Sequence, residues 1–322
     1  MLIIYSAAAL AAGFVLDCIF GDPHWRFHPI CIIGDLISIC ERVLRRIFRG
    51  HEIAAGIMLV IIVCAVVTAA AAAVSAAAYF VSPWLYVAAE SIMCWFILAA
   101  RSLRCESMKV YDAIKYGSLE DARRAVSMIV GRDTAALDEK GVIRAAVETV
   151  AENASDGVIA PMLYFAAGGA PLGFLYKAVN TMDSMVGYKN EKYIKLGRAA
   201  ARLDDAVNFI PSRLSGLLIV LAAYITHMDG AGAMRIFRRD RAKHASPNSA
   251  QTEAACAGAL GVRLAGDAYY FGKLYKKEYI GDERREIEPE DIVRANRLMY
   301  AASVMALVIL LGLKTALYFI LF

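Results

Sequence analysis

Hydrophobic and polar positions along this chain separate into long blocks. Residues 53–89, 37 in all, contain no Asp, Glu, Lys or Arg. A bilayer-crossing helix needs about 20 apolar residues, so this block suits two spans, 53–82 and 84–100, parted at Ser82-Pro83, the second carrying Glu90. An earlier uncharged run starts at Met1 and continues through Asp17 to Phe20. With no basic n-region and no small-residue cleavage site, it reads as a retained helix over 1–20 rather than a signal peptide. A fourth span is expected at 298–322, where Lys314 is the single charge. Segments 157–176 and 206–228 are weaker: the first contains Pro161 and Pro171, the second Pro211 and Arg213. Broken backbone is tolerated at membrane depth where it is buried in protein or lines a cavity, so both are candidates for spans or re-entrant segments. The expectation is an all-α, polytopic integral membrane protein with four to six membrane helices or re-entrant segments, forming a single membrane-embedded domain over 1–322.

The blocks between are unlike transporter turns. Residues 101–156 hold 19 charged side chains in 56, and 229–297 hold 24 in 69; these are soluble-domain densities. In the first, SLEDARRAVSM (118–128) opens with a Ser N-cap and an acidic first turn, a helix start. A second helix begins near Asp138-Glu139 and places Arg144, Glu148, Glu152 and Asp156 at i, i+4 on one face. No alternating strand pattern of useful length and no internal repeat occurs. Five arginines (Arg26, Arg42, Arg45, Arg46, Arg49) lie in 21–52 and none at Ser82-Pro83. By the positive-inside rule, 21–52 and the Arg101 region face the cytoplasm.

Composition agrees with the blocks. The 322 residues are 59% hydrophobic and 20% charged, with mean hydropathy +0.50, against about 45–50% apolar and about 25% charged for soluble domains. This excludes a purely soluble enzyme and a disordered chain. The net charge of +4 gives no reason to invoke nucleic acid. Seven cysteines, none in CxxC spacing, indicate neither a disulfide framework nor zinc.

Polar residues concentrate beside Gly-rich apolar sequence in three clusters: Glu148/Glu152/Asn153/Asp156; Lys177/Asn180/Asp183/Ser184 with Lys189, Asn190 and Glu191; and Arg198/Arg202/Asp204/Asp205/Asn208. Carboxylate and amide oxygens at helical spacing suit Mg²⁺ holding a phosphate-bearing substrate, and nearby Lys and Arg neutralise the remaining phosphate oxygens. The competing reading of the Glu148/Glu152 helix is a solvated face with weak ion pairs. His24 and His28 are at i, i+4, yet Pro23 and Pro29 bias the residues before them away from helix; a hydrogen-bonded turn is favoured over a metal site. Arg238, Arg239, Arg241, Lys243 and His244 lead into a Ser/Pro/Asn turn and suit anionic lipid head groups or a substrate phosphate. No phosphate-loop glycine motif, GxSxG or HExxH is present.

Three stretches carry a resemblance: DCIFGDPHWRFHPICIIGDLI, the central block from IVGRDTAALDEKGVIRAAVETVAENASDGVIAP to KLGRAAARLDDAVNFIPSRL, and HASPNSAQTEAACAGALGVRLAGDAYYFG. In these the chain resembles the membrane-bound adenosylcobinamide-phosphate synthases of cobalamin biosynthesis, over nearly its whole length. Ala250 stands where that family usually has Gly after HASPNS. The resemblance implies an ATP- and Mg²⁺-dependent ligase that joins aminopropanol, or its O-phosphate, to the propionate carboxylate of adenosylcobyric acid. On that footing the expected catalytic residues are Glu148, Glu152, Asn153, Asp183, His28 and His244. Lys177, Asn180, Lys189, Asn190, Arg198 and Arg202 are expected at nucleotide or substrate phosphate, and Asp156, Asp183, Asp204 and Asp205 at metal. The corrinoid is substrate, membrane lipid and other cobalamin-assembly enzymes are the expected partners, and the site faces the cytoplasmic side of the cell membrane. Two other classes stay open: a Mg²⁺-dependent phospho-alcohol or prenyl transferase, and a corrinoid or metabolite transporter built on the broken helices.

Overall fold

Residues 1–23, 25–188, 190–270 and 272–321 are described by a computed structural model; His24 and Lys189 lie outside the described residues. The chain is 75% helical, as the block pattern requires. Five helical stretches are long and apolar enough to cross a membrane: Leu2–Phe20, Glu52–Val81, Pro83–Tyr116, Glu139–Val186 and Glu290–Leu321, with a sixth if Arg198–Val207 and Phe209–Ile225 count as one broken span. The protein is therefore a polytopic, all-α membrane protein. Its helices sort into two compact units, residues 1–99, 160–208 and 307–322 in the first and 100–159 with 209–306 in the second.

The first unit holds α1 (Leu2–Phe20), α2 (Pro29–Ile47), α3 (Glu52–Val81), α4 (Pro83–Ile97), α8 (Ala160–Val186) and α9 (Arg198–Val207). Helix α1 packs on α4, while α3 packs on α2, α4 and α8. On α3 the buried positions Ala55, Leu59, Val63, Val67, Ala71 and Ser75 recur every four residues. That narrow, mostly small-residue stripe allows close backbone approach where lipid offers no hydrophobic drive. The Gly/Pro-broken segment near 157–176 is a helix with one break, at Gly168 and Gly169, the latter at φ 66°. Glu90 of α4 is fully buried and closes that break: the Ala170 N–H donates to Glu90 Oε2 (2.9 Å) and the Ser75 hydroxyl donates to Oε1. A Cβ on Gly169 would stand 2.9 Å from Glu90 Oε2, so glycine is needed for both its conformation and its lack of side chain.

The second unit holds α5 (Ala100–Tyr116), α6 (Leu119–Ser127), α7 (Glu139–Asn153), a π-helical turn (Ala154–Ile159), α10 (Phe209–Ile225), α11 (Gly230–Asp240) and α12 (Ser249–Leu260). The N-terminal part of α13 (Glu290–Leu321) joins them. Helix α6 starts at the Ser N-cap read from sequence, and the structure completes it as a capping box, Ser118 and Asp121 bonding reciprocally. Helix α12 is buried throughout and packs on α10, α11 and α7. Between α12 and α13 the chain forms two short antiparallel pairs, β1 (Leu264–Ala265) with β4 (Tyr279–Ile280) and β2 (Ala268–Tyr270) with β3 (Lys273–Tyr275). Segments of two or three residues are too short to leave an alternation, which is why the sequence shows no strand there.

Candidate active site

Helix α7 is set by its own N-terminus, where the Gly141 N–H donates to the Asp138 carboxylate at 2.7 Å, and by a buried face of Val142, Ile143, Ala145, Ala146 and Val150. The face carrying Glu148 and Glu152, one turn apart, borders a cavity of about 210 Å³ within the second unit. Arg132, Asn153, His244, Glu253, Tyr270 and Lys277 complete its polar lining. The volume is below the ~300–1,000 Å³ typical of pockets for drug-sized ligands; it suits a carboxylate or phosphate end of a substrate rather than a whole corrin ring.

Each carboxylate is held differently. Glu148 Oε2 pairs with Arg132 Nη1 at 2.9 Å, both side chains nearly buried, and Glu148 Oε1 accepts from the Ala265 N–H at 2.6 Å. Ala265 has φ 58°, a left-handed conformation that costs a non-glycine residue roughly 1–2 kcal/mol. Strain of this kind persists where neighbours over-determine it. Glu152 Oε1 accepts from the Ser249 hydroxyl (2.7 Å), which ties α7 to the start of α12. Glu253, 4% exposed, has an Oε2 with no hydrogen-bond partner among the described residues. Burial, reinforced by the Glu152 and Glu148 charges, raises its pKa well above the usual carboxylate range, which favours its protonated form.

His244 begins the HASPNS turn, and the Ser246 N–H donates to its Nδ1 at 3.0 Å. Burial depresses its pKa, against the opposing pull of Glu152. The ring is neutral at pH 7 with its Nδ1 lone pair engaged, leaving Nε2–H as a donor. This suits His244 to bind a substrate oxygen better than to take a proton from an amine. The Lys277 ammonium donates to Tyr270 Oη at 2.8 Å. Asn153 caps back onto α7, donating to the Thr149 carbonyl (3.0 Å). Immediately after it the helix widens into the π-turn that contains Asp156, a feature frequent at functional sites. The turn also ends the strict i, i+4 register of the Arg144-to-Asp156 face.

The remaining expected residues belong to the first unit. Asn180 Nδ2 donates to Asp204 Oδ1 (3.5 Å), and Asp183 lies close enough to Asp204 for the two carboxylates to repel. Asp183 also folds over Gly187, where an added Cβ would stand 2.0 Å from Asp183 Oδ1. Lys177 is half-buried on the same helix, whereas Arg198 and Arg202 are exposed on α9. Asn190 Oδ1 accepts from the Tyr193 N–H (3.1 Å) and so shapes the 190–197 turn. His28 is buried and caps α2, its Nδ1 accepting from the Ile30 N–H (3.3 Å), with Asp22 4.0 Å from Nε2. Burial, the larger effect, lowers its pKa despite Asp22. The structure thus gathers Glu148, Glu152, Asn153 and His244 round one cavity and Lys177, Asn180, Asp183 and Asp204 within another unit. Among the described residues no three His, Cys, Asp or Glu side chains converge as a metal cage.

The family model described as "CobD/Cbib protein" matches residues 10–299, which include every residue of both sets. The chain belongs to the CobD/CbiB family. Among relatives, the cobalamin biosynthesis protein CobD of Geobacter metallireducens is 48% identical over 310 residues, covering 96% of this chain and 97% of that protein. The CobD of Clostridium perfringens is 44% identical over 302 residues, covering 94% and 96%. The cobalamin biosynthesis protein CbiB of Salmonella typhimurium is 45% identical over 313 residues, covering 96% and 98%. No solved structure matches.

In this CobD/CbiB chain, sequence reasoning missed Arg132, Glu253, Tyr270 and Lys277. Glu253 did leave a signal: it is the only charged residue type in α12, whose other residues are small, apolar or neutral polar. Arg132 and Lys277 left none, since both stand in irregular or short-strand segments where spacing says nothing about direction.

Proposed function

We propose that this CobD/CbiB protein acts in cobalamin biosynthesis as an amide ligase. In this reading it joins aminopropanol or its O-phosphate to the propionate carboxylate of adenosylcobyric acid, with ATP consumed. The observation that carries the reading is the second-unit cavity, where two bonded carboxylates, a neutral histidine and two cations surround a space sized for one acidic end of a substrate. Amide formation needs an activated carboxyl group, most simply an acyl phosphate formed by transfer of the ATP γ-phosphoryl group with release of ADP, and a deprotonated amine whose attack expels inorganic phosphate. Lys277 and Arg132 offset charge on the carboxyl and phosphoryl oxygens, and the His244 Nε2–H donates to one of them. Glu152 accepts the proton released by the attacking amine. Asn153 orients the carboxyl group beside it. Glu253, whose pKa burial raises, favours its protonated form and so limits the negative charge of the site.

Mg²⁺ enters as the counter-ion of the nucleotide phosphates, its coordination completed by phosphate and water, as Mg²⁺ commonly is. Lys177, Lys189, Arg198 and Arg202 are assigned to anionic groups of nucleotide or amine, with Asn180, Asn190 and the Asp183/Asp204 pair orienting them. In this reading the work is done on the cytoplasmic side of the cell membrane, which the arginine-rich 21–52 stretch and the Arg101 region support.

The test is full-length protein in lipid nanodiscs with cobyric acid, ATP, Mg²⁺ and either amine, read by mass spectrometry. An amide product that requires ATP is expected. Corrinoid accumulation in sealed vesicles without covalent change would identify a transporter, and turnover of a lipid substrate without ATP a transferase.

A further inference from the structure

A second cavity in the second unit is unlike the first. It has a volume of about 600 Å³ and lies between α5, the end of α10 and the entry of α13. Its walls are mainly apolar, with Met108, Ile225, Val304 and Met305 among them, and two arginines, Arg104 and Arg297, stand on its rim. Both arginines are exposed, and neither has an ion-pair partner among the described residues. Arg104 lies one turn beyond the apolar segment 84–100, and Arg297 immediately precedes the apolar segment 298–322. Both are therefore at membrane-interface depth.

The wall is built, not incidental. Asn296 of α13, 3% exposed, donates through Nδ2 to the Ser107 hydroxyl of α5 (2.9 Å) and to the Ile292 carbonyl (2.8 Å). Because a carbonyl can only accept, these bonds settle the amide's orientation. Asn296 thus ties α13 to α5 behind the groove, its Oδ1 itself shut off from solvent. The groove also opens onto apolar surface. On α10, Ile210, Leu214, Leu217, Leu221 and Ile225 form one helical stripe, each 41–67% exposed, and Ile225 ends the stripe inside the groove.

We propose that this groove binds an anionic phospholipid, of the phosphatidylglycerol type. Its phosphate sits between Arg104 and Arg297, and an acyl chain lies along Ile225, Val304 and Met305. Basic pockets beside membrane helices recognise such headgroups electrostatically, each cation near the surface adding about 1 kcal/mol. The site is separate from the ligase cavity, and its test does not depend on that activity.

Native mass spectrometry of the full-length protein, titrated with phosphatidylglycerol or phosphatidylcholine, measures retention directly. Phosphatidylglycerol should be retained preferentially, about fivefold more weakly in Arg104→Ala or Arg297→Ala and about 30-fold more weakly in the double variant, with the thermal midpoint confirming folding. Photoactivatable phosphatidylglycerol on the wild-type protein should crosslink to peptides holding Met108 or Val304 and Met305, which decides the matter even if a variant fails to fold. Equal retention of phosphatidylcholine, undiminished binding by a folded double variant, crosslinks confined to other helices, or one-for-one displacement by a corrinoid would each overturn the proposal.

Discussion

At the scale of single residues, two buried titratable groups of the cavity oppose each other in their effect on stability. Glu253 has a folded pKa above the ordinary carboxylate value of 4.5, so the folded protein holds a proton that the unfolded chain gives up. Its contribution is fully present below that value and is lost as pH rises through the folded pKa. His244 has a folded pKa below 6.5; its contribution is present above 6.5 and is lost as pH falls through the folded pKa. Thermal unfolding across pH should therefore show Glu253→Gln flattening the loss of stability on the rising side, and His244→Asn, whose amide oxygen still accepts from Ser246, flattening it on the acid side. In catalysis, Glu152→Gln should lower kcat by about 10²–10⁴-fold with little change in KM, whereas Lys177→Ala should act mainly on KM for the phosphorylated amine. Steady-state rates of amide formation distinguish the two.

At the scale of elements, the break in α8 depends on a carboxylate from another helix. Glu90→Ala removes the acceptor for the Ala170 N–H and one of two for Ser75, whose hydroxyl keeps the Ala71 carbonyl, leaving a buried N–H unpaired at about 1–3 kcal/mol. A lowered thermal midpoint in detergent is expected, with Glu90→Gln milder because its amide oxygen still accepts. The segment's Gly168-Gly169 and Pro171 announced a break in the sequence, and Glu90 announced a charge in a span. That the charge closes the break was not legible, since the residues are 80 positions apart. Helix α7 shows the reverse case. Its start at Asp138 and its acidic face were readable, because capping and i, i+4 spacing are local. The π-turn that follows was not, because its widened register leaves no distinctive composition.

At the scale of the whole molecule, the charge blocks make a topological prediction. Exposed Cys31 and Cys105 lie on or beside the arginine-rich stretches, and Ser82 lies at the charge-free turn between α3 and α4. In intact cells a membrane-impermeant maleimide should label Ser82→Cys, whereas Cys31 and Cys105 should react only after permeabilisation. The opposite pattern would invert the orientation and remove the cytoplasmic placement of the site. The division into two units was likewise not visible in composition, because each draws on segments from both halves of the chain.

The sequence by itself determined the class of molecule, the rough position of its membrane helices and the family. Each of these rests on long blocks, local periodicity or extended motifs, which need no knowledge of which helix meets which. Only tertiary structure decided the membership of the cavity. Arg132, Glu148, His244, Glu253 and Lys277 come from α7, α12 and the turns around them, up to 145 positions apart in sequence. Their assembly follows from how small-residue faces such as that of α12 let helices close on one another. The same packing settled the tautomer of His244 and raises the pKa of Glu253, since burial and hydrogen-bond partners, not residue type alone, set how readily a side chain carries charge.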